Sequence, residues 1–178
     1  MNIVFFGSPI YSSRVLSYLL SSKHSVKAVV TQDVKKDKKR KELKTPVGLF
    51  AEENNLHTLY QTNLRSTDFI TELKSLDADI FLIYAYGKIL PKDIINIPKF
   101  GVINLHCSLL PRWRGAAPIQ RALLNRDRLT GITFFKIDEH LDTGNMIASY
   151  EYSIEDDDDS LSLQEKLTDL AIANIENI

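Results

Sequence analysis

Short apolar runs, each too brief for a helix and each closed by a turn, alternate along this chain with segments of helical periodicity. That alternation limits the fold more than any other feature. Residues 3–6 (Ile-Val-Phe-Phe) form a continuous apolar run ended by Gly7-Ser8-Pro9, which predicts a buried strand and a turn. After Pro9, the residues Ile10, Val15, Leu16, Leu19 and Leu20 recur at helical spacing, so a helix follows with proline in its first turn. The same reading predicts strands over 26–30, 56–60, 80–84 and 101–105, and alternating strands over 130–137 and 146–152. Helices are expected after Thr45-Pro46, over 67–76, briefly over 91–95, over 117–124, and from Ser160 to Ile175. Apolar strands interleaved with helices predict an α/β fold, a mostly parallel sheet covered by helices on both faces in one domain. No internal repeat or linker interrupts the 178 residues, a length suited to one domain.

Composition excludes several classes. The chain is 44% hydrophobic and 25% charged, which fits neither a disordered nor a fibrous protein. No apolar run approaches the ~20 residues of a membrane span. The N-terminal segment lacks a basic leader and a cleavage site, and the single cysteine rules out an internal disulfide. A cytoplasmic protein with no membrane partner is expected. The net charge of −1 conceals separated signs. Seven lysines and arginines crowd residues 33–44, and five arginines stand at 112, 114, 121, 126 and 128, while the acids gather at 155–159. Such separation can steer a polyanion to one face, although lysine-rich loops are also often only solvated.

The first turn invites a dinucleotide reading and does not support it. That fingerprint needs three glycines so that backbone can approach a pyrophosphate. Here Gly7 stands alone before Ser8-Pro9, and the chain has no phosphate-binding loop of the Walker type.

Chemistry concentrates between Ile103 and Gly115. Asn104 and His106 lie two apart at the end of a predicted strand, so their side chains share a face. In open parallel sheets that end of the strands is where ligands bind. A carboxamide donor beside an imidazole can stabilise a developing oxyanion and move a proton, and a purely structural pair has the same spacing. A carboxylate could orient the imidazole. Asp142, in the turn Asp138-Glu139-His140-Leu141-Asp142-Thr143-Gly144, is the candidate, with Asp138 and Glu139 as rivals. Cys107 is adjacent to His106 and so points to the opposite face of the strand, badly placed as a thiol nucleophile. The four histidines are scattered without ligand-like spacing, and no metal is expected.

These residues carry a resemblance. Asn104-Leu105-His106-Cys107-Ser108-Leu109-Leu110-Pro111, continued by Arg112-Trp113-Arg114-Gly115-Ala116-Ala117-Pro118-Ile119-Gln120, resembles the signature of the folate-dependent formyltransferases in its methionyl-tRNA form. Phe6-Gly7-Ser8-Pro9, Ala85-Tyr86-Gly87-Lys88-Ile89-Leu90-Pro91 and Leu141-Asp142-Thr143-Gly144 match that family in the same order. The resemblance implies a Rossmann-like catalytic domain over residues 1–178 that transfers a formyl group from 10-formyltetrahydrofolate to methionyl-initiator tRNA. It implies a catalytic triad of Asn104, His106 and Asp142, the first two stabilising a tetrahedral intermediate and the third supporting the imidazolium. Ser108, Leu109, Leu110 and Pro111, with Gly87, Ile89 and Leu90, would line the folate site. Lys38, Lys39, Arg40 and Lys41 fall where the family's inserted loop contacts tRNA, although the family's loop glycines are missing here. Members carry a further C-terminal β-barrel that helps hold tRNA, and this sequence is expected to lack it and to act as a monomer. Transfer to a sugar nucleotide or another small amine is the alternative, and a catalytically weak folate- or RNA-binding module is another.

Overall fold

A computed structural model describes residues 1–33, 35–36, 42–61 and 63–178. Lys38, Lys39, Arg40 and Lys41 therefore lie outside the described residues. The chain divides into two compact units, Met1–Val102 and Ile103–Ile178.

The first unit is built on parallel strands. β1 (Asn2–Gly7) pairs with β2 (Ser25–Gln32) and with a strand over Ile80–Tyr84, and β2 pairs with a strand over Thr58–Gln61. Two-residue strands β3 (Lys35–Lys36) and β4 (Glu42–Leu43) make a small antiparallel pair inside the basic stretch, where the sequence predicts only a loop. The strand over Thr58–Gln61 is accordingly β5, and that over Ile80–Tyr84 is β6. β1 and β6 are apolar because both run through the core: Val4, Phe5, Phe6 and Phe81 have no exposed surface. α1 (Ile10–Ser21) and α2 (Pro46–Glu53) pack on each other and on these strands, and α3 (Thr67–Ser75) packs on α4 (Lys92–Ile95). α2 starts where Thr45-Pro46 predicts it, with the Thr45 hydroxyl accepting from the Gly48 N–H.

The lone glycine of the first turn has a packing reason. A Cβ on Gly7 would stand 2.8 Å from the Phe5 ring, 3.0 Å from the Ser12 Cβ and 3.1 Å from the Tyr84 carbonyl oxygen. The residue lets α1 approach β1 closely, and Ser12 Oγ then donates to Tyr84 O at 2.7 Å. Gly7 serves a helix–strand contact here.

The second unit is antiparallel. β7 (Val102–His106) pairs with β8 (Leu129–Lys136), which pairs with β9 (Met146–Ser153). The α/β class and the parallel strands of the first unit hold, and the last three strands add an antiparallel set. The predicted alternation is found in β9 alone. From Thr130 to Phe135, β8 is buried without interruption, because a strand paired on both sides and packed against α6 (Ser160–Asn174) has no solvent face there. α5 (Pro118–Leu124) packs on α6. The acidic run also has a local role: Asp159 caps α6 in a reciprocal box with Ser162, and Lys166 pairs with Glu155 and Asp158. Among the described residues, no helix is long and apolar enough to cross a membrane.

Candidate active site

β7 ends at His106, opposite Thr133 of β8, and Asn104 lies two residues earlier on the same side of the strand, opposite Phe135. Asn104 is half-buried and His106 buried. After His106 the chain turns sharply through residues 107–115. This loop is tied down at its base: Thr133 Oγ1 donates to Ser108 O at 2.7 Å and accepts from Leu110 N at 3.1 Å, while Ser108 Oγ donates to Arg112 O at 2.6 Å. Ser108 is thus a buried pin, and Leu109 and Leu110, half-buried, give the segment a hydrocarbon face. The Leu110–Pro111 peptide is cis.

The loop brings the Trp113 carbonyl to His106 Nε2 at 3.0 Å. A carbonyl oxygen only accepts, so Nε2 carries a hydrogen and the neutral ring keeps its lone pair on Nδ1. Nδ1 faces Asp142 Oδ2 at 3.8 Å, with both side chains about nine-tenths buried. That separation exceeds a direct hydrogen bond, and it places the negative charge where a second ring proton would appear. Asp142 Oδ2 also accepts from Gly115 N at 2.8 Å, so the carboxylate ties the far end of the loop to the turn between β8 and β9.

That turn settles which acid is placed near the ring. Asp138 accepts from His140 N at 2.9 Å and from the Thr143 hydroxyl at 2.8 Å, and the backbone bond from His140 does most to hold its carboxyl below the usual range. Asp138 shapes the turn; Asp142 reaches the imidazole. Gly144 closes the turn against β8, since a Cβ there would sit 1.7 Å from the Lys136 carbonyl oxygen. Gly144→Ala must push the turn off the strand. Overpacking of this kind costs about 1–3 kcal/mol, so a drop in melting temperature of at least ~2 °C by circular dichroism is expected.

The sequence reading missed Asp127, in the turn before β8. Its Oδ2 accepts from Arg112 Nε at 2.9 Å and from the Trp113 indole N–H at 2.7 Å. Its Oδ1 accepts from Arg112 Nη2 and Asn125 Nδ2, both at 2.6 Å. Arg112 lies over the Trp113 ring, 4.3 Å from its centroid. The Arg112 guanidinium, aided by Asn125 and Trp113, holds the Asp127 carboxyl far below the ordinary carboxylate range against the opposing effect of burial. A depressed carboxyl stabilises the fold above the unfolded-state pKa and loses that contribution only as pH falls through its lower folded value. This cluster stays ionised throughout the neutral range. A signal was available: Asp127 is the only acid between Arg112 and Arg128.

In the first unit, Gly87 adopts φ +79° and Ala85 φ +52° in the turn after β6. Gln32 Nε2 donates to Tyr86 O at 2.8 Å, and Lys88 Nζ donates to Gln61 O at 2.6 Å. Ile89 is 81% exposed and Leu90 only 5%. Among the described residues, no group of three or more His, Cys, Asp or Glu could hold a metal ion.

A family model described as formyl transferase matches residues 1–175. The chain belongs to that family. A methionyl-tRNA formyltransferase of Prochlorococcus marinus strain MIT 9312 is 46% identical over 173 residues, which cover 96% of this chain and 53% of that protein. The enzyme of the same name from strain AS9601 is equally identical over the same shares. This formyl transferase chain spans about half the length of the curated relatives it matches. Among solved structures, glycinamide ribonucleotide transformylase 1 of Symbiobacterium toebii aligns with TM-score 0.83 at 15% identity, covering 99% of this chain and 84% of that one. Phosphoribosylglycinamide formyltransferase of Bacillus halodurans aligns with TM-score 0.80 at 19% identity, covering 97% and 90%. At such identities the likeness concerns the fold, a Rossmann-like α/β arrangement.

Proposed function

We propose that this formyl transferase chain moves a formyl group from 10-formyltetrahydrofolate to the amino group of methionine esterified to initiator tRNA. The observation that carries the chemistry is the seating of His106, with a proton held on Nε2 by a main-chain carbonyl and Nδ1 turned to Asp142. The choice of acceptor follows the relatives named methionyl-tRNA formyltransferase. A cytoplasmic location accompanies that reading.

Leu109, Leu110 and Pro111 suit a folate, because a segment whose one hydroxyl is turned inward presents only hydrocarbon to a flat aromatic donor. Gly87, Ile89 and Leu90 keep the folate role that the resemblance assigns them. When bound, the folate supplies an activated formyl carbon. Asn104 donates from its carboxamide to the negative charge that develops on the formyl oxygen. His106 Nδ1 accepts the proton lost by the attacking amine, and Asp142 balances the imidazolium. As the new N–C bond forms and the old one breaks, His106 returns that proton to the departing folate nitrogen. No net proton is gained or lost.

Incubation with 10-formyltetrahydrofolate and charged initiator tRNA is the test, with amino-sugar nucleotides as the competing acceptors. Formyl-methionyl ester is expected from the tRNA alone. Formylated amino sugar with unmodified tRNA would transfer the assignment to a small-amine enzyme, and folate binding without transfer would make the chain a binding module. Lys38, Lys39, Arg40 and Lys41 are assigned to tRNA phosphates. Four such contacts give an affinity that falls with a log–log salt slope of about −3, so removing them is expected to flatten the slope while leaving folate binding alone.

A further inference from the structure

Beyond the three residues of the proposed chemistry, Asp127 stands at the end of a short chain of contacts leading to the imidazole. Its carboxylate grips the Trp113 indole N–H and the Arg112 guanidinium at 2.6–2.9 Å. Trp113 has φ +58°, a backbone conformation that non-glycine residues adopt rarely and that neighbouring contacts must sustain. The carbonyl of that same residue receives the His106 Nε2 hydrogen at 3.0 Å. Side chain and main chain of Trp113 thus face two different partners, and fixing one fixes the other.

We propose that Asp127 is a positioning residue: by clamping Arg112 and the Trp113 indole, it holds the Trp113 carbonyl against His106 and so imposes the ring tautomer with hydrogen on Nε2 and Nδ1 toward Asp142. The role deepens the formyl-transfer reading and rests on it. Asp127 itself touches no reacting atom. The loop has other ties, because Ser108, Leu110 and Thr133 bond it to β8 without help from Asp127. A variant that loses the clamp therefore keeps its loop attached and misdirects one carbonyl.

The test reads the ring directly. Two-dimensional proton–nitrogen correlation of the His106 ring in the full 178-residue chain is expected to show the Nε2–H tautomer alone. Asp127→Ala and Trp113→Phe both break the indole contact, and both are expected to give a mixture of tautomers. Asp127→Asn keeps an acceptor for the indole and is expected to restore most of the original signature. In single-turnover assays, Asp127→Ala is expected to lower the rate of transfer about 10- to 100-fold with little change in folate affinity, as for a misplaced catalytic group. Trp113→Phe, which leaves the Arg112–Asp127 pair intact, decides the matter if Asp127→Ala fails to fold. A His106 ring signature unchanged in Trp113→Phe would overturn the proposal. Because the ring readout needs no substrate, a changed signature in a chain with no formyl transfer would sink the activity reading and leave the clamp standing.

Discussion

Single-turnover formyl transfer is expected to fall by at least about two orders of magnitude in Asn104→Ala, and by as much or more in His106→Ala. The size follows from when these groups act. A preorganised donor aimed at a developing oxyanion is worth roughly 2.7–4 kcal/mol of barrier, because it strengthens in the transition state and needs no reorganisation. Asn104 is half-buried at the end of β7, and the alternation of the strand sets its direction. His106 is buried, its Nε2–H is held by the Trp113 carbonyl, and only Nδ1 remains to take up a proton. Removing the ring leaves the Asp142 carboxylate opposite nothing. The measurement is rapid-quench transfer at saturating 10-formyltetrahydrofolate and charged initiator tRNA. Folate affinity serves as a control for the shape of the site, and it is expected to stay within a few-fold, since uniform binding and transition-state stabilisation are separable. Near-normal rates in both variants would remove this pair from the reaction.

The parts of the molecule that could be read in advance are those fixed by local pattern. β1 and β6 are legible as apolar runs because each is buried along its length, and α2 announces itself through Thr45-Pro46. The pairing of Asn104 with His106 follows from a two-residue period once β7 is placed. β8 was less legible. Its threonines suggest a solvent face, yet Thr133 is fully buried because its hydroxyl is spent on Ser108 and Leu110, partners distant in the chain. The polarity of a residue says little about exposure when its hydrogen bonds are made by tertiary contact. The Trp113 carbonyl at His106 was invisible in principle, since every residue but the last has a peptide carbonyl and only the loop's path aims one. Asp142 could be told from Asp138 only by the resemblance; in the structure the distinction lies in a turn whose hydrogen bonds occupy one carboxylate and leave the other facing the ring. The five arginines looked like one basic stripe, and Arg112 is instead engaged by the single acid among them.

Asp142 offers the sharper dissection, because its carboxylate has two tasks that chemistry can separate. It accepts the Gly115 N–H at 2.8 Å, and it places negative charge 3.8 Å from His106 Nδ1. Asp142→Asn preserves a carbonyl oxygen for Gly115 and deletes the charge; Asp142→Ala deletes both. A structural role predicts that asparagine behaves as wild type and that only alanine loses activity and stability. The charge-balancing role predicts otherwise. Asparagine should then melt close to the unsubstituted chain while its transfer rate drops about 100-fold or more, a loss smaller than the ~10⁴-fold seen when a buried aspartate behind a catalytic histidine is neutralised in a serine protease, where the two groups are in direct hydrogen bond. The longer Nδ1–Oδ2 separation argues for the smaller figure, since Coulomb attraction weakens with distance and no shared hydrogen is lost. Alanine should add a lower melting temperature to the same kinetic defect, because the Gly115 N–H, partly buried, loses its acceptor. Transfer by the asparagine variant at the full rate would confine Asp142 to holding the loop and would require another group to balance the proton on His106.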